Sequence, residues 1–176
     1  TSTPTNTATR TDIPTPTDVP TPTPPPPVCN EIVPGNYSAT SVMDTYSKES
    51  KPDENQGSKP NLAVMPDAGK LEYSFIQFDL SSIPAGSQVS QARLYLYQSG
   101  NQPGETITVS SVNTPWAENE LTWNNMPEPG GSLAVFTSDG GASCYRMVFL
   151  PIEQVEYWIN NPSSNNGMML VSAGEN

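Results

Sequence analysis

Tyr73-Ser74-Phe75-Ile76-Gln77-Phe78-Asp79-Leu80 puts aromatic and aliphatic groups on one face with polar residues between them. Ala92-Arg93-Leu94-Tyr95-Leu96-Tyr97 behaves similarly, and Thr106-Ile107-Thr108-Val109-Ser110-Ser111-Val112 alternates over its whole length. A period of two in β-branched and aromatic residues predicts half-buried strands. Further strands are predicted at 61–65, 133–137, 145–150 and 168–172. Turns are read at Ile83-Pro84-Ala85-Gly86, at Gly100-Asn101-Gln102-Pro103-Gly104 and at Glu128-Pro129-Gly130-Gly131. One helix is predicted over 151–159, where Ile152, Val155 and Ile159 share a face and Asn160-Asn161-Pro162 ends it. Many short strands with evenly placed turns predict an all-β fold, an antiparallel jelly-roll-like sandwich with one short helix.

Upstream the composition changes. Residues 1–27 hold ten Thr and nine Pro. Proline fixes φ and removes a backbone donor, which leaves polyproline II as the accessible regular conformation. A straight stalk of this kind would reach roughly 80 Å. The expected organisation is therefore a Thr/Pro stalk at 1–27 and one β-sandwich domain at 28–176. Thr alternating with Pro is also the composition of O-glycosylated stalks, with Thr15, Thr17, Thr21 and Thr23 as expected acceptors. Asn36-Tyr37-Ser38 is the single N-glycosylation sequon, since proline excludes Asn161-Pro162-Ser163.

Charge narrows the partners. Eighteen acidic residues against seven basic ones give a net charge of −11. Such a chain repels phosphate backbones, so no nucleic-acid partner is expected. No apolar run approaches 18 residues, so no membrane insertion is expected. The two cysteines, Cys29 and Cys144, lie far apart and resemble neither a zinc site nor a redox pair. The alternatives are two unrelated buried thiols or a disulfide joining the domain's first segment to a late strand. The disulfide would close a long loop, worth about 4–5 kcal/mol in the chain-entropy model. Together, tract and cysteines give the expectation of an extracellular or cell-surface protein.

The chain has no histidine, so no Ser-His-Asp or Cys-His arrangement can form. Glu118 with Glu120, or Glu153 with Glu156, are carboxylate pairs of the type glycoside hydrolysis uses. Glu153 and Glu156 lie one helical turn apart, which suits a solvated face. No enzyme and no catalytic residue is expected. A structural calcium would take hard oxygen ligands, and Asp44, Asp53, Asn55 and Asp79 are the candidates; ordinary turn acids are the other reading. Trp116 and Trp123 offer flat aromatic faces on which a pyranose ring could stack, or else they pack the framework.

The segment from Phe75 to Gly86, then Val89 and Ala92-Arg93-Leu94-Tyr95-Leu96-Tyr97, resembles the signature of DNRLRE-domain proteins, the disaggregatase-related repeats. Trp116-Ala117-Glu118 and Thr122-Trp123-Asn124-Asn125-Met126-Pro127 resemble a second motif of that family. Asp44-Thr45-Tyr46 and Asn55-Gln56-Gly57 resemble two more, so the likeness runs from about 44 to 175. The resemblance implies an exported jelly-roll-like module and no catalytic residues. Relatives of that kind continue past 168–172 into a last strand. If Asn176 is the end of the chain, one strand slot is empty, and strand donation by a neighbour, with 28–33 as donor, would build a filament.

Two functions follow from this reading. The first is a structural subunit of a surface filament or coat, whose partners are copies of itself and covalent glycans. The alternative is a carbohydrate-binding accessory module on a Thr/Pro linker.

Overall fold

The computed structural model describes residues 37–39, 41–99, 104–138 and 143–172. The stalk at 1–27, its four threonines, Cys29, Asn36 and the donor segment 28–33 all lie outside the described residues. Among the described residues seven strands and one α-helix run in the order β1 (Ser41–Lys48), β2 (Glu72–Phe78), β3 (Ala92–Gln98), β4 (Thr106–Val112), β5 (Pro129–Thr137), β6 (Cys144–Leu150), α1 (Ile152–Asn160) and β7 (Met168–Ser172). They form a five-stranded sheet, ordered β1-β2-β7-β4-β5, and a two-stranded sheet, β3-β6. Every described pairing is antiparallel. The all-β sandwich with one short helix is therefore the architecture observed.

Alternation explains the layers. Successive strand residues point to opposite faces. Ile76, Val109, Met168 and Leu170 of the large sheet point inward and meet Leu94 of β3, Val148 of β6 and Trp158 of α1. Their neighbours Phe75, Val112 and Met169 point the other way and form a second cluster with Leu121. Both faces of the large sheet are thus buried. That is why β7 reads Met168-Met169-Leu170-Val171 with no polar residue between.

The second cluster is roofed by the irregular segments 49–60 and 113–128, which side-chain hydrogen bonds clamp together. The Asn55 amide donates to the carbonyls of Glu118 and Leu121, each at 2.7 Å. Its carbonyl oxygen accepts from the Gly57 amide at 3.0 Å. A Cβ on Gly57 would stand 2.4 Å from the Glu118 carbonyl oxygen, so only glycine lets the two segments touch. Asn125 closes its own turn, accepting from Thr122 N–H and donating to the Glu120 carbonyl.

The structure differs from the sequence reading at three places. β1 was not predicted as a strand. Residues 61–65 form no strand and contribute one bridge, Met65 to Glu72. Pro129-Gly130-Gly131, read as a turn, opens β5, with register irregularities opposite Ser110 and Val112. Proline is tolerated there because β5 is the last strand of its sheet.

Candidate functional site

The two-stranded sheet presents its outer face to solvent. β3 and β6 pair in register as Arg93 with Phe149, Tyr95 with Met147 and Tyr97 with Tyr145. These six residues share one face, because their neighbours Leu94 and Val148 point into the core. Outward positions of such a strand are ordinarily polar. Here four of the six are aromatic. Tyr97 is 59% exposed, Phe149 54% and Tyr145 37%. Exposed apolar groups gathered on one flat surface mark a place where something binds.

Local sequence builds the platform. In β3 the order Arg-Leu-Tyr-Leu-Tyr sends each leucine inward and each larger group outward. In β6 the order Cys-Tyr-Arg-Met-Val-Phe does the same, with Cys144, Arg146 and Val148 buried. The rings of Tyr97 and Tyr145 stand 5.1 Å apart at 71°, an edge-to-face pair that fixes both. The Arg93 guanidinium donates to the Tyr95 hydroxyl at 3.3 Å. Phe149 lies four residues beyond Tyr145 on the same face, about 13 Å along the strand. The surface therefore offers flat rings at both ends, with Tyr95 and its hydroxyl in the row between and Arg93 beside Phe149. Such a combination can stack on apolar faces while hydrogen-bonding hydroxyl groups.

The two tryptophans named from sequence sit elsewhere. Trp116 packs on Phe75 at 5.8 Å between ring centroids, and its indole N–H donates to the Asn166 carbonyl at 2.8 Å. Trp123 packs on Tyr73 at 5.0 Å. Both hold segment 113–128 against the sheet, which is the framework reading of their motif.

Of the four oxygen-ligand candidates, Asp44 and Asn55 both contact Glu118, while Asp53 and Asp79 are bonded elsewhere. Asp44 lies in β1, where its backbone N–H donates to the Glu118 carboxylate at 3.3 Å. Asp53 accepts from the Asn124 amide at 2.7 Å. Asn55 is the clamp described above. Asp79 accepts from the Ser81 amide N–H at 2.8 Å, and the Ser81 hydroxyl and amide together hold its carboxyl below the ordinary range. Among the described residues no three His, Cys, Asp or Glu side chains are grouped to hold a metal. The Glu156 carboxylate accepts from the Val89 amide at 2.8 Å, so it ties the β2–β3 connection to α1.

Cys144 is buried at the start of β6 and is not a free thiol. No helix among the described residues is long and apolar enough to cross a membrane.

Sequence reasoning passed over Tyr95, Tyr97, Tyr145 and Phe149. The signal was present: both strands set bulky aromatics at the positions that should be polar once leucine and valine are assigned inward.

A family model described as carbohydrate-binding module family 96 matches residues 36–151, about two thirds of the chain. The match spans β1 to β6 and so includes the whole β3–β6 face. It is to a carbohydrate-binding family rather than to the DNRLRE repeats that the motifs resemble. No curated protein matches the chain.

Proposed function

We propose that this chain, which belongs to carbohydrate-binding module family 96, binds an extended polysaccharide on the outer face of β3 and β6. The observation that carries the reading is the exposure of Tyr97, Tyr145 and Phe149 on one flat two-stranded surface. Pyranose rings would stack on these three side chains. The tyrosine hydroxyls and the Arg93 guanidinium would take sugar hydroxyls or a carboxylate. A preformed platform on paired strands loses little conformational entropy on binding, which suits recognition of a repetitive chain.

On this reading the domain is a non-catalytic accessory module at the cell exterior, and residues 1–27 serve as its linker. The module holds its protein on a polysaccharide, and any chemistry belongs to another domain. The family assignment favours this role over the filament or coat subunit.

Affinity electrophoresis through gels containing neutral or acidic polysaccharides tests the proposal. Retardation in at least one gel, abolished by excess soluble oligosaccharide, is the expected result. Unaltered mobility across both classes contradicts it.

A further inference from the structure

The five-stranded sheet has two outer strands, β1 and β5. An outer strand presents unpaired N–H and C=O groups, a template for another chain unless something blunts it. The two edges differ. At β1 the Asp44 N–H points away from β2 and donates to the Glu118 carboxylate, so segment 113–128 covers that edge. β1 also opens on a register irregularity at Ser41 and Met43 and ends on the charged Lys48. Irregularity and charge both discourage further pairing.

The second half of β5 carries neither device. Ala134 to Thr137 pairs with β4 in unbroken register. The Ser138 amide donates to the Glu105 carbonyl at 2.8 Å, so Ser138 faces β4. Backbone groups alternate sides along a strand. Phe136 and Ala134 therefore also face β4, and Val135 and Thr137 turn their N–H and C=O groups to the open edge. Among the described residues none bonds to those groups. Both side chains are exposed, Val135 by 60%.

We propose that this edge pairs with the same edge of a second copy, antiparallel about a twofold axis, so that two five-stranded sheets join into one. Charge selects the occupant. A twofold contact sets a strand against itself, and like charges facing each other are destabilising. In a chain of net charge −11, Pro-Gly-Gly-Ser-Leu-Ala-Val-Phe-Thr holds no charge and forms a neutral seam. Register agrees. Setting Val135 of one copy opposite Thr137 of the other satisfies the outward groups of both strands at once. The covered β1 edge then ends growth, which gives a closed pair rather than a filament.

A twofold axis of this kind keeps both sheets the same face up. The β3–β6 layers of the two copies lie on one side, with their aromatic platforms turned the same way. One polysaccharide chain would engage both and bind more tightly without any new contact. That consequence rests on the sugar reading, whereas the pairing itself does not.

The test uses the full chain. Sedimentation velocity over a hundredfold range of concentration should show monomer giving way to dimer and to nothing larger. Added salt should strengthen the pair, because screening weakens repulsion between two acidic copies. Hydrogen exchange at Val135 and Thr137 should slow at least tenfold as the dimer forms, with Ala134 and Phe136 slow throughout. Thr137→Pro removes an outward donor and no bond to β4. Val135→Lys places like charges on the seam. Both variants should stay monomeric and keep the melting temperature of the dilute parent. A parent that is monomeric at every concentration overturns the proposal. So does a dimer that leaves exchange at Val135 and Thr137 unchanged, or one that both variants still form. Polysaccharide retardation is read separately, so a dimer that binds no sugar counts against the sugar reading alone.

Discussion

Tyr97 and Tyr145 face each other across β3 and β6 with ring centroids 5.1 Å apart, both on the side turned away from the core. An edge-to-face pair of this kind is worth about 0.5–1.5 kcal/mol beyond area burial. Buried deeper, the rings would stabilise the fold more. Their exposure is hard to explain by stability alone, and it is what ties the fold to the proposed function.

The clamp at Asn55 gives the first prediction. Asn55→Ala leaves the carbonyls of Glu118 and Leu121 without their donor. Losing two such bonds at a part-buried site costs about 1–3 kcal/mol. Gly57→Ala should cost at least as much, because the added methyl meets the Glu118 carbonyl carbon and oxygen. Chemical denaturation of both variants measures this, and the midpoint should fall with an unchanged slope.

Trp116 and Trp123 give the second. Trp116→Phe keeps a ring against Phe75 but removes the donor to the Asn166 carbonyl. The expected loss is about 1–2 kcal/mol. Retardation by polysaccharide should be unchanged in this variant at a temperature where it is folded. Weakened binding by folded Trp116→Phe would move the sugar site to segment 113–128.

A pH profile gives the third. Lys48 lies beside Glu72, whose carboxylate accepts its ammonium hydrogen bond and raises its pKa above 10.5. A raised pKa stabilises the fold below the unfolded value and loses that contribution as pH climbs through the folded one. Lys48→Met should therefore lower the melting temperature by a constant amount up to about pH 9. The gap should narrow above 10.5. Asp79 works with the opposite sign. Its carboxyl is held low, so its contribution is present above 3.8 and fades as pH falls further. Melting curves of Asp79→Asn and the parent should converge in acid.

How far the sequence carried the fold depended on where each strand buries its side chains. β3, β4 and β6 alternate because one face meets the core, and the alternation located them. β1 escaped notice because its positions on the Phe75 face, under segment 113–128, include Thr45 and Ser47, polar residues that are fully buried. A strand whose core face carries hydroxyls shows no apolar period. Residues 61–65 carry the apolar pattern for another reason: Leu62 and Val64 pack on the core from an irregular segment. The helix was legible because its apolar spacing and its terminating Asn-Asn-Pro agree. The aromatic platform was legible in principle from the outward positions of β3 and β6. The tryptophans drew attention instead, and their surroundings could only be seen once segment 113–128 was placed against Phe75 and Tyr73. The Asn55-Gln56-Gly57 motif likewise has a structural meaning that sequence spacing did not disclose.

The most direct test combines Tyr97→Ala, Tyr145→Ala and Phe149→Ala, singly and together, measured by calorimetry against the polysaccharide that retards the parent. Each ring should contribute about tenfold in affinity, about 1.4 kcal/mol, with melting temperatures within a few degrees of the parent. A triple variant that is folded and binds like the parent would contradict the placement of the sugar on β3 and β6.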